Sequence, residues 1–119
     1  MTKCDLIRDA LDQAKAEDVV VLDVRMLTDI ADYMIIASGT STRHVASTGR
    51  KVDDLLREHG HKSQGMEGLG GGEWVLIDFG DVIVHVMHPT TRAFYALEKL
   101  WSEEFGIQGA QRRESRPRR

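Results

Sequence analysis

The chain has 119 residues, 41% of them hydrophobic, and a single cysteine, so it can fill one modest core but not two and cannot hold an internal disulfide. Its apolar runs, such as VVVL and YMIIA, are far shorter than the roughly 20 residues of a membrane span, and no apolar leader precedes them, so we expect a soluble, cytoplasmic protein. The formal charge of −3 divides into +4 on residues 111–119 (QRRESRPRR) and −7 on residues 1–110, and so acidic a body disfavours binding to the phosphates of DNA or RNA.

The first part of the chain predicts a helix followed by two strands. Apolar residues recur at helical spacing at Leu6, Ile7, Ala10, Leu11 and Ala14. The β-branched run VVVLDV, residues 19–24, predicts a buried strand, and YMIIASG, residues 33–39, predicts a second one. The segment RMLTDIAD between them predicts a turn or loop. The two strands could therefore pair as a hairpin.

The middle of the chain predicts a long helix and a second hairpin. Ser41 or Thr42 can cap a helix that runs to about His59, and Gly60 is its expected stop. The segment SQGMEG favours a short strand, and LGGG after it favours a flexible turn. The segments EWVLIDF and DVIVHVM flank a tight turn at residues 79–81, so we expect them to pair antiparallel.

A closing helix is predicted after Pro89, which ends the last strand. Thr90 or Thr91 is its expected cap. Its buried stripe is expected from Phe94, Leu97, Leu100 and Trp101. The whole pattern predicts a single α/β domain over residues 1–105, with a mixed five-stranded sheet flanked by helices, and a flexible basic tail over residues 106–119.

Candidate groups for catalysis or metal binding are few. Asp78 and Asp81 flank the last tight turn and could in principle hold magnesium for nucleotidyl transfer, although aspartate beside glycine also favours tight turns. The histidine pairs lack the further carboxylates or cysteines of a zinc site: His59 with His61, and His85 with His88. The stretch SGTSTRHVASTG lacks a Walker lysine and favours plain helix capping. We therefore predict no enzymatic activity, no metal and no cofactor.

Strand alternation predicts one face of mixed chemistry on the second hairpin. One face receives Val82, Val84 and Val86, together with Val75, Ile77 and Phe79. The other receives Trp74, Leu76 and Asp78, together with Ile83, His85 and Met87. Aromatic, methionine, histidine and acidic side chains in one place are typical of a protein interface. A satisfied, half-buried histidine under the last helix explains His85 equally well.

Four blocks of the sequence carry a resemblance to a known family. GTSTRHV, GMEG, WVLIDFGDVIVHVM and FYALEKLW stand in the order and spacing of the Iojap-like ribosomal silencing factors, called RsfS in bacteria, which the chain resembles from about Leu6 to Ser102. The resemblance implies a nucleotidyltransferase-like fold without that active site. It also implies binding to the large ribosomal subunit through its protein number fourteen, a basic protein, so that the small subunit cannot join and translation is repressed under nutrient limitation.

The resemblance also implies which residues face the partner, and it implies a homodimer when the protein is free. The partner-facing positions are Glu67, Glu73, Trp74, Leu76, Asp78, His85, Met87, Arg92 and Tyr95. Arg43 and His44 are interpreted as scaffold. Two features depart from the family pattern: the glycines at 70–72, which loosen the approach to Trp74, and the arginine tail, which could touch ribosomal RNA. A large-subunit assembly factor and, with less support, a magnesium-dependent nucleotidyltransferase stay open as alternatives; no DNA or membrane partner is expected.

Overall fold

The computed structural model describes residues 2–99 and confirms the predicted order of helices and strands. The elements are α1 (Lys3–Gln13), β1 (Glu17–Asp23), β2 (Tyr33–Ser38), α2 (Thr42–Glu58), β3 (Gly65–Glu67), β4 (Trp74–Asp78), β5 (Val82–Met87), α3 (Pro89–Tyr95) and α4 (Leu97–Lys99). Leu100 and Trp101 of the predicted closing helix, and the predicted tail over 106–119, lie outside the described residues. Between residues 2 and 99, no helix is long and apolar enough to cross a membrane.

The five strands form one mixed sheet in the order β1-β2-β5-β4-β3. The two predicted hairpins, β1 with β2 and β4 with β5, are antiparallel, and β2 pairs with β5 in parallel. The connection between the parallel strands β2 and β5 therefore contains α2 and two further strands of the same sheet, β3 and β4. Strand β5 is apolar except for His85 and is almost entirely buried, which suits its central position, whereas the three-residue β3 occupies an edge beside β4.

Helices α1 and α2 cover one face of the sheet. Their apolar stripes pack on the strands in a single cluster, which includes Leu6, Ile7, Leu11, Val45, Val52, Leu56, Val75, Ile77, Val84 and Val86. One side of α2 is buried against the sheet, and it includes Val45, Gly49, Val52 and Leu56. A Cβ atom on Gly49 would lie 2.7 Å from Cγ1 of Val75, so the absence of a side chain there lets α2 approach β4 closely.

The ends of α2 agree with the prediction, whereas those of the closing helix do not. The Ser41 side chain caps α2 by accepting from the backbone N–H of His44 at 3.0 Å. The predicted threonine cap of α3 is wrong: the cap is His88, whose Nδ1 accepts from the backbone N–H of Thr90 at 3.3 Å. Pro89 then occupies the first helical position, for which its fixed φ and missing N–H are suited.

Helix α3 is also shorter than predicted, because it ends at Tyr95, where Ala96 adopts a left-handed conformation with φ 49°. The predicted burial of Phe94 is wrong, since 79% of its surface is exposed. Leu97 does pack against the sheet, as predicted. The turn at Ala96 rotates the chain, so Phe94 and Leu97 do not share one continuous helical stripe.

The second face of the sheet is buried at one side and open at the other. A second cluster spans β1, β2 and β5, and consists of Val20, Leu22, Val24, Met34, Ile36 and Met87, with Leu27, Trp74 and Leu97 packed against it. Over β4 and β3, the side chains on this face are partly buried or exposed. We call this part the open face: it is formed by exposed Glu67 and by partly buried Trp74, Leu76, Asp78 and Ile83.

Candidate docking surface

Strand register assembles the open face from the residues that alternation predicted to share a side. Trp74, Leu76 and Asp78 on β4 lie opposite Met87, His85 and Ile83 on β5. On the other flank, Glu67 of β3 lies opposite Leu76. A row of side chains therefore runs across three strands from an exposed acid through a half-buried leucine to a buried histidine. The predicted mixed face is confirmed as a structural feature.

A hydrogen bond connects Trp74 to His85 beneath the surface. The indole Nε1–H of Trp74 donates to Nδ1 of His85 at 3.0 Å. Because Nδ1 accepts, the neutral ring carries its proton on Nε2. Only 5% of His85 is exposed, and this burial lowers the pKa of its imidazole from 6.5 to about 4. His85 is therefore uncharged at neutral pH and keeps its acceptor free for the indole.

An aromatic row continues from Trp74 to the surface along α3. The centroids of the Trp74 and Tyr95 rings are 4.8 Å apart with a tilt of 52°, and Phe94 meets Tyr95 edge-on at 5.0 Å. Tyr95 is half exposed and Phe94 is largely exposed. Such tilted and edge-on contacts are favourable arrangements of aromatic rings. The aromatic row, Trp74, Tyr95 and Phe94, places apolar area beside the open face.

Helix α3 is held to the end of the sheet by polar contacts. Nη1 of Arg92 donates to the Ser38 hydroxyl at 2.8 Å, and the backbone N–H of His88 donates to the carbonyl of Glu73 at 2.9 Å. Arg92 is only 8% exposed. Its guanidinium therefore connects α3 to the last residue of β2, and this connection positions Tyr95 against Trp74.

The nine predicted partner-facing residues thus fall into two groups in the structure. Six have accessible surface: Glu67, Glu73, Trp74, Leu76, Asp78 and Tyr95. The others are buried: His85, Met87 and Arg92. For Met87 the predicted position at the surface is wrong, because its side chain is fully buried in the second cluster, whereas His85 and Arg92 hold surface residues in place.

Sequence reasoning missed Phe94 as a member of this surface. Phe94 and Tyr95 are adjacent on a helix, so they point about 100° apart and only one can face the core squarely. That adjacency in the sequence is the signal that one of the two rings had to lie at the surface, and the structure shows that Phe94 is the more exposed.

The candidate catalytic aspartates are engaged in structural contacts. Oδ1 of Asp78 accepts from the backbone N–H of Gly80 at 2.8 Å, which closes the turn between β4 and β5. Asp81 forms an ion pair with Nζ of Lys3 at 2.8 Å, and the hydrogen bond from Lys3 lowers the pKa of the Asp81 carboxyl. Within residues 2–99, no group of three or more His, Cys, Asp or Glu side chains is placed to hold a metal ion. The contact of Asp78 stabilises the turn, and the ion pair of Asp81 anchors the start of α1 to that turn.

His44 acts as scaffold, as interpreted from the sequence. Its Nδ1 accepts from the backbone N–H of Thr40 at 2.8 Å, and its Nε2–H donates to the carbonyl of Ala14 at 2.7 Å. One ring therefore connects the end of α1 to the loop before α2. The side chain of neighbouring Arg43 is exposed.

The run of three glycines, residues 70–72, is more constrained in conformation than its composition predicted. Gly72 has φ +71°, and a Cβ atom there would lie 2.5 Å from the carbonyl oxygen of Thr42. At Gly70 and Gly71 a Cβ atom would meet nothing within 4 Å. Gly72 therefore packs against the start of α2 two residues before Trp74, and only the first two glycines of the run are unconstrained by neighbouring atoms.

Comparison with known proteins gives consistent matches over most of the chain. The family model RsfS, described as "Ribosomal silencing factor during starvation", matches residues 2–119. The chain is 42% identical over 94 residues to ribosomal silencing factor RsfS of Bacillus subtilis, which covers 79% of this chain and 80% of that protein. It is 35% identical over 101 residues to mitochondrial assembly of ribosomal large subunit protein 1 of Mus musculus, covering 82% of this chain and 44% of that protein. A crystal structure of a Chromobacterium violaceum protein matches with a TM-score of 0.83 and 42% identity, covering 84% of this chain and 83% of that one.

Proposed function

The chain belongs to the ribosomal silencing factor family, and from that premise we propose that it binds the large ribosomal subunit through protein number fourteen of that subunit. Binding there prevents the small subunit from joining, and translation is repressed under nutrient limitation. The observation that carries the proposal is the open face with its adjoining aromatic row, an accessible apolar surface flanked by the carboxylates of Glu67, Glu73 and Asp78.

Charge complementarity supports a basic protein as the partner. Residues 1–110 carry a formal −7; the exposed Glu67 lies opposite Leu76, and the exposed Glu73 directly precedes Trp74 in the chain. Aromatic and aliphatic side chains supply contact area, while acids at the rim steer a basic partner and fix its orientation. Phosphate groups of nucleic acid would be repelled by the same acids.

The mechanism proposed for repression is steric occlusion. The part of the chain that the structure describes measures 34 × 30 × 21 Å along its principal axes, which is enough bulk to hold apart two particles whose faces must approach closely. Occlusion requires no turnover, and the residues on the open face need only bind. Affinity therefore determines the extent of repression.

Gradient sedimentation with purified particles tests this proposal. The protein is incubated with isolated large subunits, small subunits are added, and the joined fraction is measured. We expect the protein to sediment with the large particle and to reduce joining. Trp74→Ala should weaken binding by about 2 kcal/mol or more, the cost of truncating an aromatic anchor. If joining is complete at saturating wild-type protein, the proposal fails.

Met26→Ala is the matched control for Trp74→Ala. Met26 is also apolar and is 95% exposed. It lies in the loop between β1 and β2, at the end of the sheet where Tyr33 pairs with Val82, whereas Trp74 pairs with Met87 at the opposite end. We expect Met26→Ala to bind large subunits as tightly as the wild type.

A role in assembly of the large subunit is the second candidate, and one relative favours it. The mouse protein is named for assembly of the mitochondrial ribosomal large subunit. Assembly and silencing both require a binding face, so the face does not separate them. Assembly is preferred if deletion of the gene makes immature large subunits accumulate while the purified protein leaves the joining of mature subunits unchanged.

A magnesium-dependent nucleotidyltransferase is the weaker alternative. The hydrogen bond from Gly80 to Asp78 and the ion pair of Asp81 with Lys3 both favour structural roles for these carboxylates. Magnesium-dependent nucleotide transfer by the purified protein, lost in Asp78→Asn, is the result that would establish this alternative. We propose instead that the protein is not an enzyme.

We also propose that the protein acts in the cytoplasm and forms a homodimer when free. Light scattering of the free protein and of its complex with large subunits tests the change in oligomeric state.

The arginine-rich residues 111–119 could make incidental contacts to ribosomal RNA, because they carry a formal +4. Removal of residues 111–119 should lower the salt sensitivity of binding if the tail contacts RNA.

A further inference from the structure

We propose that His85 is a positioning residue that fixes the indole ring of Trp74 on the open face, so that Trp74 offers a partner its ring but not its N–H. The inference rests on the proposed function, because it describes how the same surface recognises its partner. It assigns His85 an indirect role, through Trp74, in place of the direct contact expected from the sequence.

The first support is the geometry of the two side chains. Trp74 pairs across the strands with Met87, so His85 is its diagonal neighbour on the same face, within reach of an aromatic side chain. The ring centroids are 5.9 Å apart with a tilt of 50°, and Nε1 lies 3.0 Å from Nδ1. The hydrogen bond and the contact with Tyr95 restrain the indole from two sides.

The second support is the chemistry of a histidine at this depth. His85 is 5% exposed, and among the described residues its Nε2 has no hydrogen-bond partner. A buried donor without a partner is unfavourable, and an apolar residue of similar size would avoid that cost. The benefit that a histidine brings here is therefore its other nitrogen, the acceptor for Trp74. Since Leu76, Ile36 and Trp74 surround it on the sheet, packing alone would favour an apolar side chain.

This arrangement restricts what the partner can present to Trp74. An indole has one hydrogen-bond donor and no acceptor, and His85 already occupies that donor. Trp74 can then contribute only its apolar and π surface. Aliphatic side chains, or the cationic groups of lysine and arginine placed over the ring, match such a surface. A basic protein supplies both kinds of group, so the specificity of this contact lies in ring contact and charge.

The sharpest test compares His85→Asn with His85→Leu. The two replacements have the same branched shape and the same number of side-chain heavy atoms, but the amide oxygen of Asn can accept near the position of Nδ1, and Leu cannot. We expect His85→Leu to bind large subunits about three- to tenfold more weakly, as loss of one net hydrogen bond predicts. His85→Asn should bind within about twofold of the wild type, because it preserves the acceptor. In a Trp74→Phe background both replacements should have the same affinity.

A spectroscopic signature separates positioning from general stability. The chain has two tryptophans, so the indole N–H resonance that is missing from Trp74→Phe identifies Trp74 in protein labelled with ¹⁵N-tryptophan. In His85→Leu this resonance should shift toward that of a free indole and exchange faster with solvent. In His85→Asn it should stay close to its wild-type position.

The wild-type protein alone can overturn the inference. Nitrogen chemical shifts of ¹⁵N-labelled histidine report the tautomer, and a proton on Nδ1 of His85 would exclude its acceptor role even if both variants failed to fold. Equal affinity of folded His85→Leu and His85→Asn would also overturn it, and would leave His85 as a packing residue. Failure of the wild type to bind large subunits would instead overturn the proposed function, and the tautomer would still decide the positioning role.

Discussion

The indole ring of Trp74 and the phenol ring of Tyr95 lie in tilted contact, with centroids 4.8 Å apart, and this contact joins the start of β4 to the end of α3. The two residues are far apart in the sequence, and each is partly accessible. Arg92 and His88 hold α3 in the position that makes the contact possible. The surface proposed to bind the ribosome is therefore made by two elements that depend on each other.

Truncation of either ring should affect binding through the other. We expect Tyr95→Ala to weaken binding to large subunits, and we expect Trp74→Ala and Tyr95→Ala to be non-additive. The coupling free energy should be about 0.5–1.5 kcal/mol, the value for an aromatic pair beyond its burial. A double-mutant cycle on the dissociation constants measures it. Strict additivity would mean that the rings contact the partner independently.

The acids beside the open face should control the rate and salt dependence of association. We expect Glu67→Gln and Glu73→Gln to slow association with large subunits and to reduce its sensitivity to salt, with little change in dissociation, because rim charges act mainly on encounter. Stopped-flow or surface-binding kinetics at two ionic strengths provide the measurement.

Glu58→Gln is the control for these charge variants. Glu58 is exposed at the last turn of α2, and α2 packs on the opposite face of the sheet. Glu58→Gln removes the same charge at a distance from the open face, so we expect it to change the rate of association only through the small change in net charge. An equal effect of all three variants would show that net charge, rather than the position of the acids, governs association.

Alanine substitutions at neighbouring positions of the glycine run should differ sharply in their effect on the free energy of unfolding. Gly72→Ala should lower the free energy of unfolding by about 1–3 kcal/mol, because alanine is strained at positive φ and its Cβ would press on the Thr42 carbonyl. Gly71→Ala should be neutral or slightly stabilising, because a Cβ there meets nothing within 4 Å. Urea unfolding of the two variants checks this. Equal stability would contradict a packing role for Gly72.

The buried histidine should make the protein less stable in mild acid. The pKa of His85 falls from 6.5 to about 4 in the folded state, so the unfolded chain binds a proton more readily between these pH values. Its contribution of roughly 3 kcal/mol is fully present above pH 6.5 and is lost as the pH falls toward about 4. Urea unfolding at pH 7 and pH 5 should therefore show a larger loss for the wild type than for His85→Asn.

The carboxylates whose pKa values are lowered in the folded state lose their contribution at a lower pH than His85 does. The pKa values of Asp23 and Asp81 are lowered by hydrogen bonds from Arg25 and Lys3, so these groups lose their contribution only as the pH falls below their ordinary value of 3.8. If the wild type and His85→Asn lose the same stability between pH 7 and pH 5, the histidine is not the group that titrates.

Local patterns in the sequence determined the elements of this protein. The start of α2 followed from Ser41, because a hydroxyl before an apolar periodic stretch satisfies free N–H groups, and its end followed from Gly60, which takes a left-handed φ of +86°. The tight turn at residues 79–81 predicted the last hairpin, and strand alternation assigned Trp74 and His85 to one face. These rules act over a few residues, so the sequence contains them directly.

Only the tertiary structure decided how deeply each of these residues lies and what it contacts. Alternation assigns a side chain to a face but does not say what covers that face, so the full burial of Met87 and the exposure of Phe94 depended on where α3 docks and ends. The parallel pairing of β2 with β5 likewise required contacts between residues distant in sequence. His85 became the acceptor for Trp74, not a metal ligand or a surface group, because the sheet register placed one polar atom next to one donor where water is excluded.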